Sequence, residues 1–237
     1  MTPNPSYLLE KTGIKLSIIA FYDAPDSKPF EPVIKPNKKG HACMYSFYKR
    51  WQKGKTVALT KTNYGCGGAS HHIFNQPTRP HEDFIKFLTD DEGLKANREL
   101  MDMWIKDSNE YQPRNEYILY GPLKEDLYEY AKTITFFVNP DQLSMLMIGA
   151  QYNTKPGDPE PVIAPFGSGC MLSVSLFKDL NVPQAIIGAT DMAMRQFLPP
   201  DILAFTVTKP MYENLCKLDK NSFLEKGFIK QLRKVRK

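Results

Sequence analysis

Short apolar segments, rich in β-branched and aromatic residues and closed by turn-forming residues, place the strongest limit on the fold of this chain. They are "LSIIAFYDA" (16–24), "TVALT" (56–60), "EYILYGPL" (116–123), "TITFFVN" (133–139), "AIIGA" (185–189) and "DILAFTV" (201–207). Runs of this length and composition predict β-strands. Several short strands separated by longer, mixed stretches indicate a sheet with packed helices rather than a helical bundle.

The stretches between these strands predict helices. The segments are 43–54, stopped by Gly54, a single helix over 81–107, a helix from Pro140, one beginning near Cys170, and shorter helices in 191–198, 209–219 and the basic tail over 222–237. We therefore predict an α+β fold, with a mixed sheet of short strands and packed helices, in which residues 1–237 form a single domain and one compact unit. The sequence shows no evident internal repeat.

The charge distribution gives no argument for nucleic acid as a partner. The net charge is +5, but the last twelve residues, "KGFIKQLRKVRK", contain six basic residues and no acidic one. The remainder is close to neutral, and basic tails of this kind are mostly solvated surface. The chain also lacks the glycine-rich nucleotide-binding motifs and the zinc-protease and serine-hydrolase motifs.

The cellular compartment bears on how the four cysteines are interpreted. The first residues, "MTPNPSYLLEKTGIK", do not resemble a secretory signal, and no segment approaches the roughly 20 apolar residues that span a bilayer. We therefore expect a cytoplasmic protein with no membrane partner. In that compartment cysteines serve as metal ligands, catalytic thiols or core residues more often than as disulfides.

Two cysteines have glycine neighbours, which is unusual for packing residues. Cys66 lies in "YGCGGASHHIF" and Cys170 ends "GSGC"; the adjoining glycines are Gly65, Gly67, Gly68, Gly167 and Gly169. Glycine lets the backbone approach a ligand closely, and its N–H groups can point at a thiolate or a cluster sulfur. Cys43 precedes a short aromatic helix, whereas Cys216 lies beside Leu215 on an amphipathic helix and is expected to be a core residue.

Three functions fit these cysteines. The first is a metal site with Cys43, Cys66 and Cys170 as ligands, holding zinc or an iron–sulfur cluster, although no closely spaced cysteine pair supports it. The second is a metal-free thiol enzyme, and the third is a module that binds a small anion at the glycine-rich segments. His71 and His72 can complete a metal shell or act as a base.

An ordered set of motifs resembles a known family. It comprises "IIAFYDAP", "ACMYSFYKRWQKGKTVALT", "YGCGGA", "GSGC" and "GATDMAMRQFLPPDILAFTV". The set is similar to the uncharacterised archaeal cysteine-rich family, domain of unknown function 169. The resemblance implies that the family's cysteines correspond to Cys43, Cys66 and Cys170, and that its terminal block corresponds to Gly188, Arg195, Pro200 and Asp201. It implies no activity.

The aromatic segment "CMYSFYKRW" makes a homodimer a further candidate assembly if its rings are exposed, but such residues more often build the core. The other partners that we predict are a small molecule or a metal cofactor.

Overall fold

A computed structural model describes residues 3–36, 43–63, 67–76, 79–108, 111–165 and 174–236. These residues form an eight-stranded mixed sheet with helices on both faces, which confirms the predicted α+β class. The strands are β1 (Ile19–Ala24), β2 (Val33–Ile34), β3 (Thr56–Leu59), β4 (Tyr117–Pro122), β5 (Ala131–Val138), β6 (Val162–Ile163), β7 (Ala185–Gly188) and β8 (Leu203–Thr208). Each contains or overlaps a predicted strand except β2 and β6, which have two residues each.

The described helices are short. They are α1 (Ser6–Thr12), α2 (Tyr48–Trp51), α3 (Gly67–His72), α4 (His81–Lys86), α5 (Arg98–Asp107), α6 (Pro140–Gln151), α7 (Met192–Arg195), α8 (Lys209–Cys216) and α9 (Gly227–Val235). Helix α6 begins where its sequence predicts, because Asn139 and Gln142 form a reciprocal capping box and Pro140 occupies the first turn. Among the described residues, no helix is long and apolar enough to cross a membrane.

The strands follow the order β2-β3-β4-β1-β5-β8-β7-β6. The four central strands β4, β1, β5 and β8 pair antiparallel, with Tyr22 opposite Leu119 and Phe136 opposite Phe205. The two edge pairs, β2 with β3 and β6 with β7, are parallel. Parallel neighbours require a crossover connection, so residues 35–55 and 164–184 must each return across the sheet.

Successive side chains of the strands enter two separate cores. Phe136 of β5 packs on the side covered by α1, α6 and α8, whereas Phe137 packs on the opposite side. The core of that opposite side includes Trp51 of α2, Ala69 of α3 and Val174, which lies in the second crossover connection. We call this side the crossover face.

The topology reveals an internal repeat, so the expectation of none is wrong. Strands β1–β4 lie in the order β2-β3-β4-β1, and β5–β8 repeat it as β6-β7-β8-β5 with the same parallel and antiparallel pairings. Because β1 and β5 meet antiparallel, an approximate two-fold axis between them relates the two halves.

The sequence carries the same repeat in two motifs. "EPVIKP" (31–36) returns as "EPVIAP" (160–165), and "GHACMYSF" (40–47) returns as "GSGCMLSV" (167–174). The repeat is hard to see because "NKK" separates the first pair of motifs and a single phenylalanine separates the second. The β3–β4 connection, residues 60–116, is also far longer than the β7–β8 connection, residues 189–202.

Much of the added length in the β3–β4 connection forms a helical hairpin, where the prediction of one helix over 81–107 is wrong. Helix α4 continues into a π-helical turn, Phe87–Asp91, and the chain then reverses at Gly93, whose φ of +64° favours glycine. Asn97 caps α5 by accepting a hydrogen bond from the Leu100 N–H over 2.9 Å. The hairpin has its own small core, made of Phe84, Ile85, Leu88, Met101 and Ile105.

One further expectation changes, and the core alternative for the aromatic segment is confirmed. The helix predicted to begin near Cys170 falls partly on residues 166–173, outside the described residues, and residues 174–180 form turns. The Asp179 side chain accepts a hydrogen bond from the Asn181 N–H, a local turn that competes with helix. The aromatic residues of "CMYSFYKRW" are buried in the crossover face, so they offer no exposed surface for a homodimer.

Candidate functional site

Cys43 lies on the crossover face, where the first crossover connection returns over the sheet. It immediately precedes a 3₁₀ turn, Met44–Phe47, that runs directly into α2, and its carbonyl accepts the Ser46 N–H over 2.9 Å. The side chain is half-buried and packs against the core of this face. The predicted short aromatic helix after Cys43 is thus present as a 3₁₀ turn followed by one α-helical turn.

Cys66 and Cys170 lie outside the described residues, as do Gly65, Gly167 and Gly169. Among the described residues, no cluster of three histidine, cysteine, aspartate or glutamate side chains is arranged to hold a metal ion. Because two of the three predicted ligands fall outside that set, the convergence of the cysteines stays a prediction. Gly67 and Gly68 are helical and form the first turn of α3.

Cys43 and described residues close in sequence to Cys66 and Cys170 pack into one core. Cys43 itself contacts the crossover face; Ala69, three residues after Cys66, and Val174, four residues after Cys170, are buried in the same hydrophobic cluster. Cys43 and Ala69 belong to the first half of the repeat, and Val174 belongs to the second half. The fold therefore places Cys43 and the described residues that follow Cys66 and Cys170 on one face of the sheet.

A direct hydrogen bond joins two of these segments. The Ser175 hydroxyl donates to the carbonyl oxygen of His72, the last residue of α3, over 2.7 Å. The same carbonyl accepts the Tyr111 N–H over 2.9 Å. A helix end normally leaves its last carbonyls without intrahelical partners, so these two donors fix the end of α3.

A buried carboxylate holds the Tyr111 segment in place. Asp23 of β1 is 1% exposed and accepts the Tyr111 hydroxyl over 2.7 Å, with the N–H groups of Arg114 and Asn115 at 2.8 and 3.0 Å. Hydrogen bonding to three donors compensates the carboxylate for the loss of water. Asp23 therefore supports α3 from the sheet. Its place in a strand-like sequence does not reveal this role.

The two histidines of α3 have different environments. His72 is 1% exposed, and burial, followed by the nearby His71, lowers the pKa of its imidazole to about 3. The ring is therefore neutral at physiological pH. Its Nδ1 atom is buried and has no hydrogen-bond partner among the described residues. His71 is more exposed, and its ring lies 4.6 Å from that of His72 and 5.3 Å from that of Phe84.

Trp51 supplies a second buried nitrogen without a partner on the crossover face. Its ring is fully buried against Tyr45, Tyr120 and Phe137, with centroid separations of 5.8, 6.1 and 6.2 Å. The indole Nε1 finds no acceptor among the described residues. Orphaned buried polar atoms are rare in folded proteins and often mark a missing ligand, ion or water. Trp51 Nε1, on the crossover face, and His72 Nδ1, in the helix that packs there through Ala69, fit a site that binds a further group.

A family model that matches most of the chain identifies the sequence family. The family model described as "Uncharacterised ArCR", DUF169, matches residues 8–217. The chain belongs to the DUF169 family. No curated protein and no solved structure matches it. The resemblance inferred from the motifs is confirmed, and membership brings no activity with it.

In this DUF169 protein, the terminal block is a structural clamp. The Arg195 guanidinium donates to four backbone carbonyls, those of Ala189, Pro199, Pro200 and Ile202. Asp191 caps α7 by accepting the Ala193 N–H over 2.8 Å. These bonds hold the connection between β7 and β8, where Ala189 has a φ of +65°.

Cys216 of the DUF169 chain belongs to the other side of the sheet. It packs against the core under α1, α6 and α8, as its amphipathic sequence predicts. Burial raises the pKa of its thiol to about 11, which keeps it protonated and unreactive.

The sequence alone does not identify Ser175, Tyr111 and Asp23 as contributors to the candidate site, because these residues belong to no recognisable motif. The repeated cysteine motif was the one available signal for pairing Cys43 with Cys170.

Proposed function

We propose that this protein binds a metal ion or an iron–sulfur cluster through the thiolates of Cys43, Cys66 and Cys170. The observation that carries the proposal is the shared core on the crossover face. Cys43, Ala69 and Val174 pack into that core, and the two latter residues follow Cys66 and Cys170 closely in the sequence. Three thiols within reach of each other would suit a soft metal better than three separate core positions would.

The internal repeat supports the same assignment. Cys43 and Cys170 occupy the same place in the repeated motif, each three residues after a glycine and directly before methionine. Each also follows, in its own half, the edge strand that starts a crossover connection. Because the approximate two-fold axis is normal to the sheet, we expect both connections to lie on one face. The duplication thus provides two equivalent ligands, and Cys66 adds a third from the longer β3–β4 connection.

The chemistry follows from the ligand number. Three thiolates leave a fourth coordination position, which is typical of sites that take a substrate or a further protein ligand. A bound zinc ion would supply Lewis acidity there, and a cluster would supply electron transfer. The glycine N–H groups near Cys66 and Cys170 can donate to the sulfurs and stabilise their negative charge. Thiolates need a reducing compartment, so we also propose that the protein works in the cytoplasm.

The test is elemental analysis, with a visible absorption spectrum, of protein purified without oxygen or chelators. We expect about one zinc, or an iron–sulfur cluster with its broad visible absorption, per chain. Serine substitutions of Cys43, Cys66 and Cys170 are each expected to lower the metal content. Cys216→Ser is the matched control, because this thiol is partly buried on the opposite side of the sheet. Protein without metal under these conditions would refute the proposal and favour a metal-free thiol enzyme or an anion-binding module.

A further inference from the structure

We propose that α6 and α9 together form a docking surface for an anionic lipid bilayer. This surface lies on the side of the sheet opposite the crossover face, where the two helices pack against the core through Leu146 and Ile229. It holds the protein at the bilayer surface, with apolar side chains among the lipid chains and lysines among the head groups. The role is independent of the proposed metal site.

The large apolar side chains that α9 exposes are the first observation behind the proposal. Phe228 is 87% exposed and Val235 is 72% exposed. They are seven residues apart, about two helical turns, and therefore lie on one side of the helix. Apolar side chains left in water forgo the free energy of burial. Two of them on one side of a helix thus indicate a surface that a partner covers.

Helix α6 extends this apolar surface. Its exposed residues Ile148 and Tyr152 lie on the same side of the helix as Asp141, because the three are seven and four residues apart. The Asp141 carboxylate accepts a hydrogen bond over 2.6 Å from the guanidinium of Arg236, directly after α9. The Tyr152 ring contacts that of Phe223, shortly before α9, with the centroids 5.4 Å apart. The two helices are therefore antiparallel neighbours, and their exposed apolar side chains adjoin.

The charge of α9 favours an anionic partner. Lys226, Lys230 and Lys234 recur every four residues, and residues 226–237 contain no acidic residue. Lys230 pairs with Glu225 over 3.4 Å, whereas Lys226 and Lys234 form no ion pair within the described ranges. Lysines close to an anionic bilayer are attracted to its head groups. Exposed apolar side chains beside lysines are typical of helices that lie in the plane of a membrane surface.

Other occupants of the surface fit less well. If it met the same surface of a second copy, the lysines of both α9 helices would come together and repel each other. A nucleic-acid backbone would use the lysines but leave the apolar side chains in water. The expectation of no membrane partner rests on the lack of a spanning segment, and a helix at the bilayer surface needs none.

Vesicle sedimentation tests the proposal with the full chain. Protein is mixed with vesicles of phosphatidylcholine, either alone or with about one third phosphatidylglycerol, and the bound fraction is measured after centrifugation. We expect binding to the anionic vesicles only, and weaker binding as salt is raised, because ions screen the attraction. Phe228→Ala is expected to weaken binding by about tenfold through the loss of apolar burial. Lys234→Gln is expected to weaken it by about fivefold.

Met192→Ala and Lys49→Gln are the matched controls, because these two residues are exposed on other elements, α7 and α2. Both substitutions are expected to leave vesicle binding unchanged. Circular dichroism melts establish that every variant is folded. Failure to bind anionic vesicles at low salt would overturn the proposal, and so would losses in the controls equal to those of Phe228→Ala and Lys234→Gln.

Tryptophan fluorescence separates insertion into the bilayer from a purely electrostatic contact. Phe228→Trp is expected to shift its emission to shorter wavelength when anionic vesicles are added, because the indole leaves water. The unsubstituted protein, which contains only Trp51 and Trp104, supplies the background emission. Binding without this shift would overturn the insertion of α9. A dimer that depends on Phe228 and forms without vesicle binding would overturn the bilayer as partner and assign the surface to a second copy.

Discussion

The hydroxyl of Ser175 donates to the backbone carbonyl of His72 over 2.7 Å, and both residues are buried. Ser175→Ala removes this bond but leaves the Tyr111 N–H on the same carbonyl. We expect the free energy of unfolding of metal-free protein to fall by about 1 kcal/mol, the usual net value of one buried hydrogen bond. Urea denaturation measures this change. Metal affinity is also expected to fall, because the bond joins the segments that follow Cys66 and Cys170.

The control for this prediction is a serine with the same type of bond at the surface. The Ser144 hydroxyl donates to the Pro140 carbonyl over 2.9 Å on the exposed side of α6. Ser144→Ala is expected to change stability by less than about 0.5 kcal/mol and metal affinity not at all. Equal effects of the two substitutions would show that the Ser175 bond has no special role.

The sequence predicts the local elements well because local rules determine them. Helix α6 is an example, since the capping residues Asn139 and Gln142 and the first-turn Pro140 all lie within its own segment. The order of the strands does not follow from such rules. Strand β1 pairs with β4 and β5, both about a hundred residues away in the chain, and nothing within β1 specifies those partners.

The candidate site likewise has features that the sequence predicts and features that depend on distant residues. Cysteine and histidine identify possible ligands by residue type, but the pair "HH" cannot show which ring is buried, because that depends on where α3 ends. The end of α3 is fixed by Ser175 and Tyr111, which are distant in sequence. Asp23 is likewise indistinguishable from a surface residue until its three donors are known.

Arg195 allows a test of the terminal clamp. Arg195→Lys keeps the positive charge but replaces a planar fork of donors with a single ammonium group, which cannot reach four carbonyls at once. We expect a loss of about 2 kcal/mol in the free energy of unfolding, measured in urea. Arg98→Lys is the control, because Arg98 pairs with a carboxylate, that of Asp90, at an exposed position. A loss no larger than that of Arg98→Lys would contradict the clamp.

Asp23 gives a second stability prediction. Asp23→Asn keeps the size of the side chain but removes the negative charge. The new NH₂ group also faces one of the three donors that the carboxylate now accepts, so two donors oppose each other. We expect a loss of about 2–3 kcal/mol by urea denaturation, typical of a buried hydrogen-bonded charge. Asp26→Asn should have little effect, since this exposed side chain accepts one local bond, from the Lys28 N–H. Comparable losses of stability in both variants would contradict the role of Asp23 in supporting α3.

Glu225 predicts how stability depends on pH. The Lys11 ammonium, then the Tyr7 hydroxyl and Lys230, lower the pKa of this carboxyl from 4.5 to about 2. A lowered folded-state pKa adds stability that is complete above the unfolded value of 4.5 and disappears as the pH falls toward 2. Glu225→Gln is therefore expected to lower Tm at pH 7, and its Tm should approach that of the unsubstituted protein as the pH falls below 4.5.

Thermal melts from pH 7 down to the acid limit of folding test this dependence. Glu10→Gln is the control, because Glu10 also contacts Lys11 but its side chain is 70% exposed, and we expect little change in Tm at any pH. A constant difference in Tm between Glu225→Gln and the unsubstituted protein would mean that the glutamate acts through packing. A difference in Tm that shrinks as the pH falls would show that the stabilisation comes from the ion pairs between α1 and the turn before α9. Only the charged carboxylate of Glu225 forms these ion pairs.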